Sequence, residues 1–172
     1  MEHTKDGYRI RTARPEDIDA LAAVEAECFP AAEAASRESL RARAEAFADS
    51  FLVAELTDGQ EAGRIIGFIN GAVTDEKTIS DEMFEDVSLH KPNGLYQSIF
   101  GLDVIRACRH RGVASDLMNH MIGEARKQGR AGLILTCKDR LIGYYEQFGY
   151  RNLGVSQSVH GGATWYDMIL EF

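Results

Sequence analysis

Two hydrophobic periods alternate along this chain. Tyr8-Arg9-Ile10-Arg11 repeats at every second residue and predicts a short strand. At Arg14-Pro15-Glu16-Asp17 the period changes. An early proline and two acids precede Ile18, Leu21, Ala22 and Val24, the stripe of a helix that runs toward Cys28 and Phe29 and that Pro30 stops. A second helix is predicted over 36–48, with Leu40, Ala44 and Phe47 turned inward and the arginines outward. The apolar runs 51–56 and 64–73 predict paired strands joined through Thr57-Asp58-Gly59-Gln60. Residues 74–94 are polar, and only Ile79, Met83, Phe84 and Val87 offer a short helical face. A connection this long in a compact domain predicts a lid or a substrate loop.

A strand, basic turn and helix over 97–129 organise the rest. Ile99, Phe100, Gly101, Leu102, Val104 and Ile105 form the strand, which enters the turn Arg106-Ala107-Cys108-Arg109-His110-Arg111-Gly112. The following helix keeps Val113, Leu117, Met121, Ile122 and Ala125 near one face, with Asp116 in its first turn, Arg126 and Lys127 in its last, and Gly129 after it. Residues 131–137 are almost wholly apolar and predict a central strand. A short helix over 139–148 and a terminal antiparallel pair, 150–155 and 164–172, complete the order. Helices alternate with strands, yet several strands connect directly, so the order predicts an α/β fold with a mixed sheet. No early Gly-x-Gly-x-x-Gly and no Walker loop occurs.

Composition narrows this reading. The length, 172 residues with 45% hydrophobic, predicts a single domain over 1–172. Cys28, Cys108 and Cys137 are dispersed and odd in number, which fits a reduced compartment better than a disulfide scaffold or a metal centre. No apolar run reaches 18 residues and the first residues lack an apolar signal segment, so a cytoplasmic protein with no membrane partner is expected. A formal charge of −8 argues against nucleic acid. The charge is uneven, acidic over 75–86 and basic from Arg106 to Arg140. That suits an anionic cofactor at one end of a cleft and a cationic substrate at the other, or simply two solvated surfaces.

The turn itself carries the chemistry. The first amides of a helix lack intrahelical acceptors and sit at its positive end, and Gly112 and Ala114 allow a phosphate to approach the backbone. The arginines would clamp its oxygens. Arg109-His110-Arg111-Gly112-Val113-Ala114 resembles the R/Q-x-x-G-x-G/A loop of the GCN5-related N-acetyltransferases. In that family the loop binds the pyrophosphate of acetyl-CoA after a bulged central strand. The resemblance implies a mostly antiparallel central sheet flanked by helices, with a splayed central strand pair. It places the bulge near Leu102-Asp103-Val104, and the cofactor against these residues and Arg109, His110, Arg111, Gly112, Val113, Ala114 and Ser115. No metal is implied.

Phe148-Gly149-Tyr150, preceded by Tyr144 and Tyr145, is similar to the family's segment F/Y-Y-x-x-F-G-F/Y, in which the second aromatic donates a proton to the departing thiolate. Tyr145 takes that place, with Lys138 beside the cofactor. Otherwise Tyr144, Tyr145 and Phe148 are core aromatics. Glu27-Cys28-Phe29-Pro30 with Glu33, and Ser156 to Met168, further resemble the arylalkylamine branch. Two histidines of its central strand are replaced here by Ser98 and Phe100, which interrupts the proton route they serve. His160, Glu33, His90 and Asp103 are the remaining candidates for base or relay, with Ser98 able to hold a water. Phe29, Pro30, Glu33, His160 and Trp165 are the expected substrate wall. The expected activity is direct acetyl transfer to a small arylalkylamine or polyamine, by a monomer or homodimer. A protein or peptide N-acetyltransferase and a non-enzymatic acyl-CoA sensor are the alternatives.

Overall fold

A computed structural model describes residues 3–5 and 7–172. Its first sheet is antiparallel throughout, in the order β1 (His3–Lys5), β2 (Tyr8–Thr12), β3 (Phe51–Leu56), β4 (Ile65–Asn70) and β7 (Gly101–Val104). The second runs β5 (Val73–Thr74), β6 (Tyr96–Ile99), β8 (Gly132–Cys137), β10 (Tyr166–Glu171) and β9 (Arg151–Val155). Its single parallel pair is β6 with β8. The result is the mixed, mostly antiparallel α/β architecture that the sequence predicts.

The two sheets meet where β6 passes into β7. Phe100 N donates to Asn70 O at 2.7 Å, while Gly101 is already the register partner of Asn70. Two residues therefore oppose one, which is a β-bulge. The interruption falls at Phe100, not near Leu102-Asp103-Val104, because pairing with β4 is regular from Gly101 to Val104. β6 pairs with β8 from Tyr96↔Gly132 to Ile99↔Leu135. Beyond that point β7 keeps only β4, Thr136 and Cys137 keep only β10, and the strands part.

Five α-helices cover the sheets: α1 (Ile18–Cys28), α2 (Arg37–Ala46), α3 (Asp81–Glu85), α4 (Val113–Lys127) and α5 (Ile142–Glu146). Pro15 and Asp17 shape a 3-10 turn before α1, and Ser36 Oγ caps α2 by accepting from Ser39 N at 3.1 Å. α4 buries Val113, Leu117, Met118, Met121 and Ala125 against β3, β4, β7 and β8. Each fully buried Leu or Met contributes about 1.5–3 kcal/mol. The polar segment 74–94 carries α3 and a 3-10 turn, Val87–Leu89.

Not every arginine of α2 points outward. Arg43 is buried, its Nη1 donating to Asn70 Oδ1 at 3.2 Å and its Nη2 to Phe84 O at 3.1 Å. The N-terminal part of the fold is fastened by Arg11, which grips both oxygens of Asp17 at 2.8 and 3.0 Å and Glu55 Oε2 at 2.9 Å. Burial is the largest single effect and works against both carboxylates, but Arg11 together with Arg14 at Asp17 and Arg9 at Glu55 outweighs it and holds both below their usual range.

Candidate active site

The basic turn stands open at the start of α4. His110 and Gly112 have φ of 66° and 82°, left-handed values that turn successive amides to one side. The first intrahelical bond here runs from Asp116 N to Gly112 O, so the amides of Val113, Ala114 and Ser115 precede it. Arg109, His110, Arg111 and Gly112 are exposed, and nothing lies within 4 Å of the place a Cβ on Gly112 would take. Arg109 also ties the turn to the splayed strand, its Nε donating to Val104 O at 2.9 Å. The same carbonyl accepts from Cys28 Sγ at 3.4 Å. Free amides, two guanidinium groups and open space fit a diphosphate.

A cavity of about 430 Å³ opens in the splay. Gly101 and Leu102 of β7 form one side and Leu135 to Cys137 of β8 the other, with Phe29 and Pro30 after α1 and Tyr145 of α5 also lining it. The Tyr145 hydroxyl has no hydrogen-bond partner among the described residues, and burial pushes its phenol well above the usual value. It keeps its proton and remains a donor. Burial also pushes the adjacent Cys137 thiol up to about 11.

His160 closes the roof. Its ring stacks on Phe84 at 5.5 Å and 10°, and its Nε2 lies 2.9 Å from Glu33 O. A carbonyl can only accept, so Nε2 carries the hydrogen and Nδ1 is left free. Trp165 Nε1 donates to His160 O at 2.8 Å, and Glu33 Oε2 is paired with Lys138 Nζ at 2.8 Å. A Cβ on Gly161, with φ of 63°, would fall 2.6 Å from Glu33 Cγ, so this tight seam requires glycine. Asp81 of α3 ties its segment to the same loop by accepting from Ser158 Oγ at 2.5 Å and Val159 N at 3.1 Å.

The structure thus brings Phe29, Pro30, Glu33, Leu102, Lys138, Tyr145, His160 and Trp165 to one cavity. Val104, at the end of β7, and residues 109–115, at the turn and the start of α4, lie outside it. Ser98 does not reach it: the residue is fully buried and its Oγ donates to Ala72 O at 2.6 Å. The Asp103 side chain is also buried, which leaves only its backbone for a cofactor. His90 sits in a different hollow, where its Nδ1 accepts from Val73 N at 2.9 Å. Sequence reasoning missed Glu25, Arg43 and Phe84. The signal was there for the two charged residues, since Glu25 stands four residues after Leu21 and Arg43 stands between Leu40 and Phe47 on the apolar face of its helix.

The Acetyltransferase (GNAT) family model matches residues 18–150, and the chain belongs to this family. It is an acetyl-CoA-dependent N-acetyltransferase. Serotonin N-acetyltransferase of Mesocricetus auratus is 28% identical over 175 residues, which cover 96% of this chain and 78% of that protein. The Homo sapiens enzyme of the same name is 29% identical over 111 residues, 63% of this chain and 51% of its own length. Among solved structures, the GphF GNAT-like decarboxylase in complex with isobutyryl-CoA superposes with a TM-score of 0.78 at 24% identity, covering 95% of this chain and 98% of that one. Arabidopsis thaliana Naa50 in complex with the bisubstrate analogue CoA-Ac-MVNAL gives 0.73 at 19%, covering 96% and 99%. These two share the fold.

Proposed function

We propose that this enzyme acetylates a small primary arylalkylamine by direct transfer from acetyl-CoA. The observation that carries the reading is the roofed cavity of about 430 Å³ at the splay, walled by Phe29, Phe84, Phe100 and Trp165 with Glu25 in its floor. That volume and lining suit one aromatic ring with a short ammonium arm. The likeness to the Mesocricetus auratus serotonin N-acetyltransferase over 96% of the chain supports it. A polyamine would meet Glu85 at the cavity wall, but other acids that could hold its second ammonium are engaged. Asp81 accepts from Ser158, Asp75 faces Lys91 at 3.5 Å, and Glu33 is neutralised by Lys138.

Bound acetyl-CoA supplies the thioester carbonyl. The amides of Val113, Ala114 and Ser115, with Arg109 and Arg111, hold its diphosphate, and the β7 edge that no strand pairs, from Leu102 to Val104, whose carbonyl already serves Arg109 and Cys28, takes the pantetheine arm. Tyr145 gives its proton toward the departing sulfur. Phe29, Pro30 and Trp165 hold the substrate ring, while His160 and Glu33 keep the roof in place. The cytoplasm is the compartment that three free, dispersed cysteines fit.

The test is thiol release from acetyl-CoA across arylalkylamines, polyamines, amino acids and short peptides. Arylalkylamines should give kcat/KM at least about tenfold above the rest, about 1.4 kcal/mol of discrimination. Preference for peptides would overturn the substrate assignment.

A further inference from the structure

Beneath the cavity floor, charged side chains are buried without the usual pairing. Glu25 of α1 and Arg43 of α2 line the floor and are 6% and 5% exposed, and Asp103 of β7 is 1% exposed. Neither Asp103 oxygen has a donor among the described residues, and the amide nitrogen of Asn70 has no acceptor. Asn70 is oriented by Arg43, whose Nη1 donates to its Oδ1 and so leaves the NH2 group to face the other way. A methyl group on Gly101 would lie 3.2 Å from Asp103 Oδ1, 3.6 Å from Asn70 Nδ2 and 3.9 Å from Glu25 Oε1. Three polar atoms converge where β7 carries no side chain, and Gly101 itself lines the cavity. Native interiors seldom leave two such atoms unsatisfied in one place.

Two neighbouring carboxylates in a dry interior resist ionising together. Glu25 Oε2 accepts from Ala35 N at 2.8 Å. Burial first, and then the Glu25 carboxylate within hydrogen-bonding reach, push the Asp103 carboxyl well above its usual range. The other titratable groups facing the pair are Cys28 of α1, whose thiol burial pushes up, Tyr145 of α5, which stays protonated, and Arg43. Of these three, Arg43 alone is a cation.

We infer that Glu25, backed by Asp103, is the base that takes the proton from the substrate's ammonium group, with the hollow at Gly101 receiving that nitrogen or a water beside it. The inference rests on the amine acetylation proposed above. In this step an ammonium N–H bond breaks and its proton passes to a carboxylate oxygen of the pair, which loses one of its two negative charges. The electron pair stays on nitrogen for attack on the acetyl carbonyl. Glu25 meets the substrate, Asp103 shares the proton from behind, and Arg43 balances the charge that remains. The pair thus fills the role left open by Ser98 and Phe100.

The test uses Asp103→Asn and Glu25→Gln in the full chain. Wild-type kcat/KM for the best amine should rise with pH as the pair gives up its last proton. Asp103→Asn should lose that limb and fall about 10²–10³-fold, with CoA affinity unchanged. A weakly basic amine that is already neutral should recover at least about tenfold of the loss, because it needs no base. A second measurement needs no turnover. A carboxyl raised by folding stays protonated in the folded chain while the unfolded chain ionises it above about pH 4, so it costs stability as pH rises. The Tm of Asp103→Asn should therefore gain on wild type as pH rises above about 4. Wild-type rate and pH limb in both variants would remove the base and leave the acetyltransferase reading intact. A Tm difference that is flat with pH would remove the shared proton. If the wild type acetylates no amine in the panel, the functional reading falls and the base role falls with it.

Discussion

Replacing Tyr145 by phenylalanine removes one oxygen and little else. The ring packs edge-on to Tyr144 at 5.2 Å and to Tyr150 at 6.0 Å, contacts that phenylalanine keeps. Its hydroxyl has no protein partner among the described residues, so no buried group is left orphaned, and the stability change should stay within about 1 kcal/mol. For a chain of this size that is roughly 2–4 °C in Tm. Loss of a positioned proton donor, by contrast, lowers the rate about 10²–10⁴-fold, or roughly 3–5 kcal/mol at 1.36 kcal/mol per decade. The raised phenol adds a pH signature. Wild-type kcat should show no alkaline fall below about pH 10, since Tyr145 holds its proton past the usual tyrosine value. The assay is thiol release at saturating acetyl-CoA and amine, with CoA affinity by calorimetry and Tm as controls. A variant that keeps kcat within about threefold of wild type, with CoA affinity unchanged, would refute Tyr145 as the donor.

Two further outcomes follow from the geometry. Arg111→Ala removes an exposed guanidinium whose protein contact is a 3.7 Å approach to Cys108 Sγ, and CoA affinity by calorimetry should fall about tenfold or more with the fold intact. Arg109→Ala should cost as much affinity and also loosen Val104, so amine KM should rise as well. Arg11→Ala leaves buried Asp17 only the Arg14 N–H and leaves Glu55 only Arg9, and should destabilise by about 3–5 kcal/mol in chemical denaturation. Asp17 and Glu55 are held below their unfolded values, so in the wild type their contribution is full above about pH 4–5 and is lost as pH falls through the lowered folded values. The variant should show less of that acid sensitivity, since only Arg14 and Arg9 still hold the two carboxylates down.

α4 was legible end to end because each local signal agreed: apolar spacing, an acid in the first turn, bases in the last and Gly129 beyond. β8 was legible as central because it is apolar on both faces. The bulge was misplaced by two residues because strand patterning does not show where β4 opposes one residue with two. The roof was only half legible. His160 and Glu33 stand out as residue types, but the bonds joining Glu33 to Lys138 and to His160 span 105 and 127 positions, and nothing local encodes them. The pattern alone places Arg43 outward because a lone guanidinium ordinarily seeks water. Its burial depends on Asn70, on Phe84 O and on the Glu25–Asp103 carboxyl pair, which come from four other parts of the chain.

A crystal structure with bound acetyl-CoA tests the central claim most directly. The diphosphate should rest on the amides of Val113, Ala114 and Ser115 between Arg109 and Arg111. The pantetheine arm should follow the free edge of β7 into the splay, with the sulfur beside the Tyr145 hydroxyl. A diphosphate bound elsewhere, with the basic turn left bare and the arm outside the splay, would contradict the account.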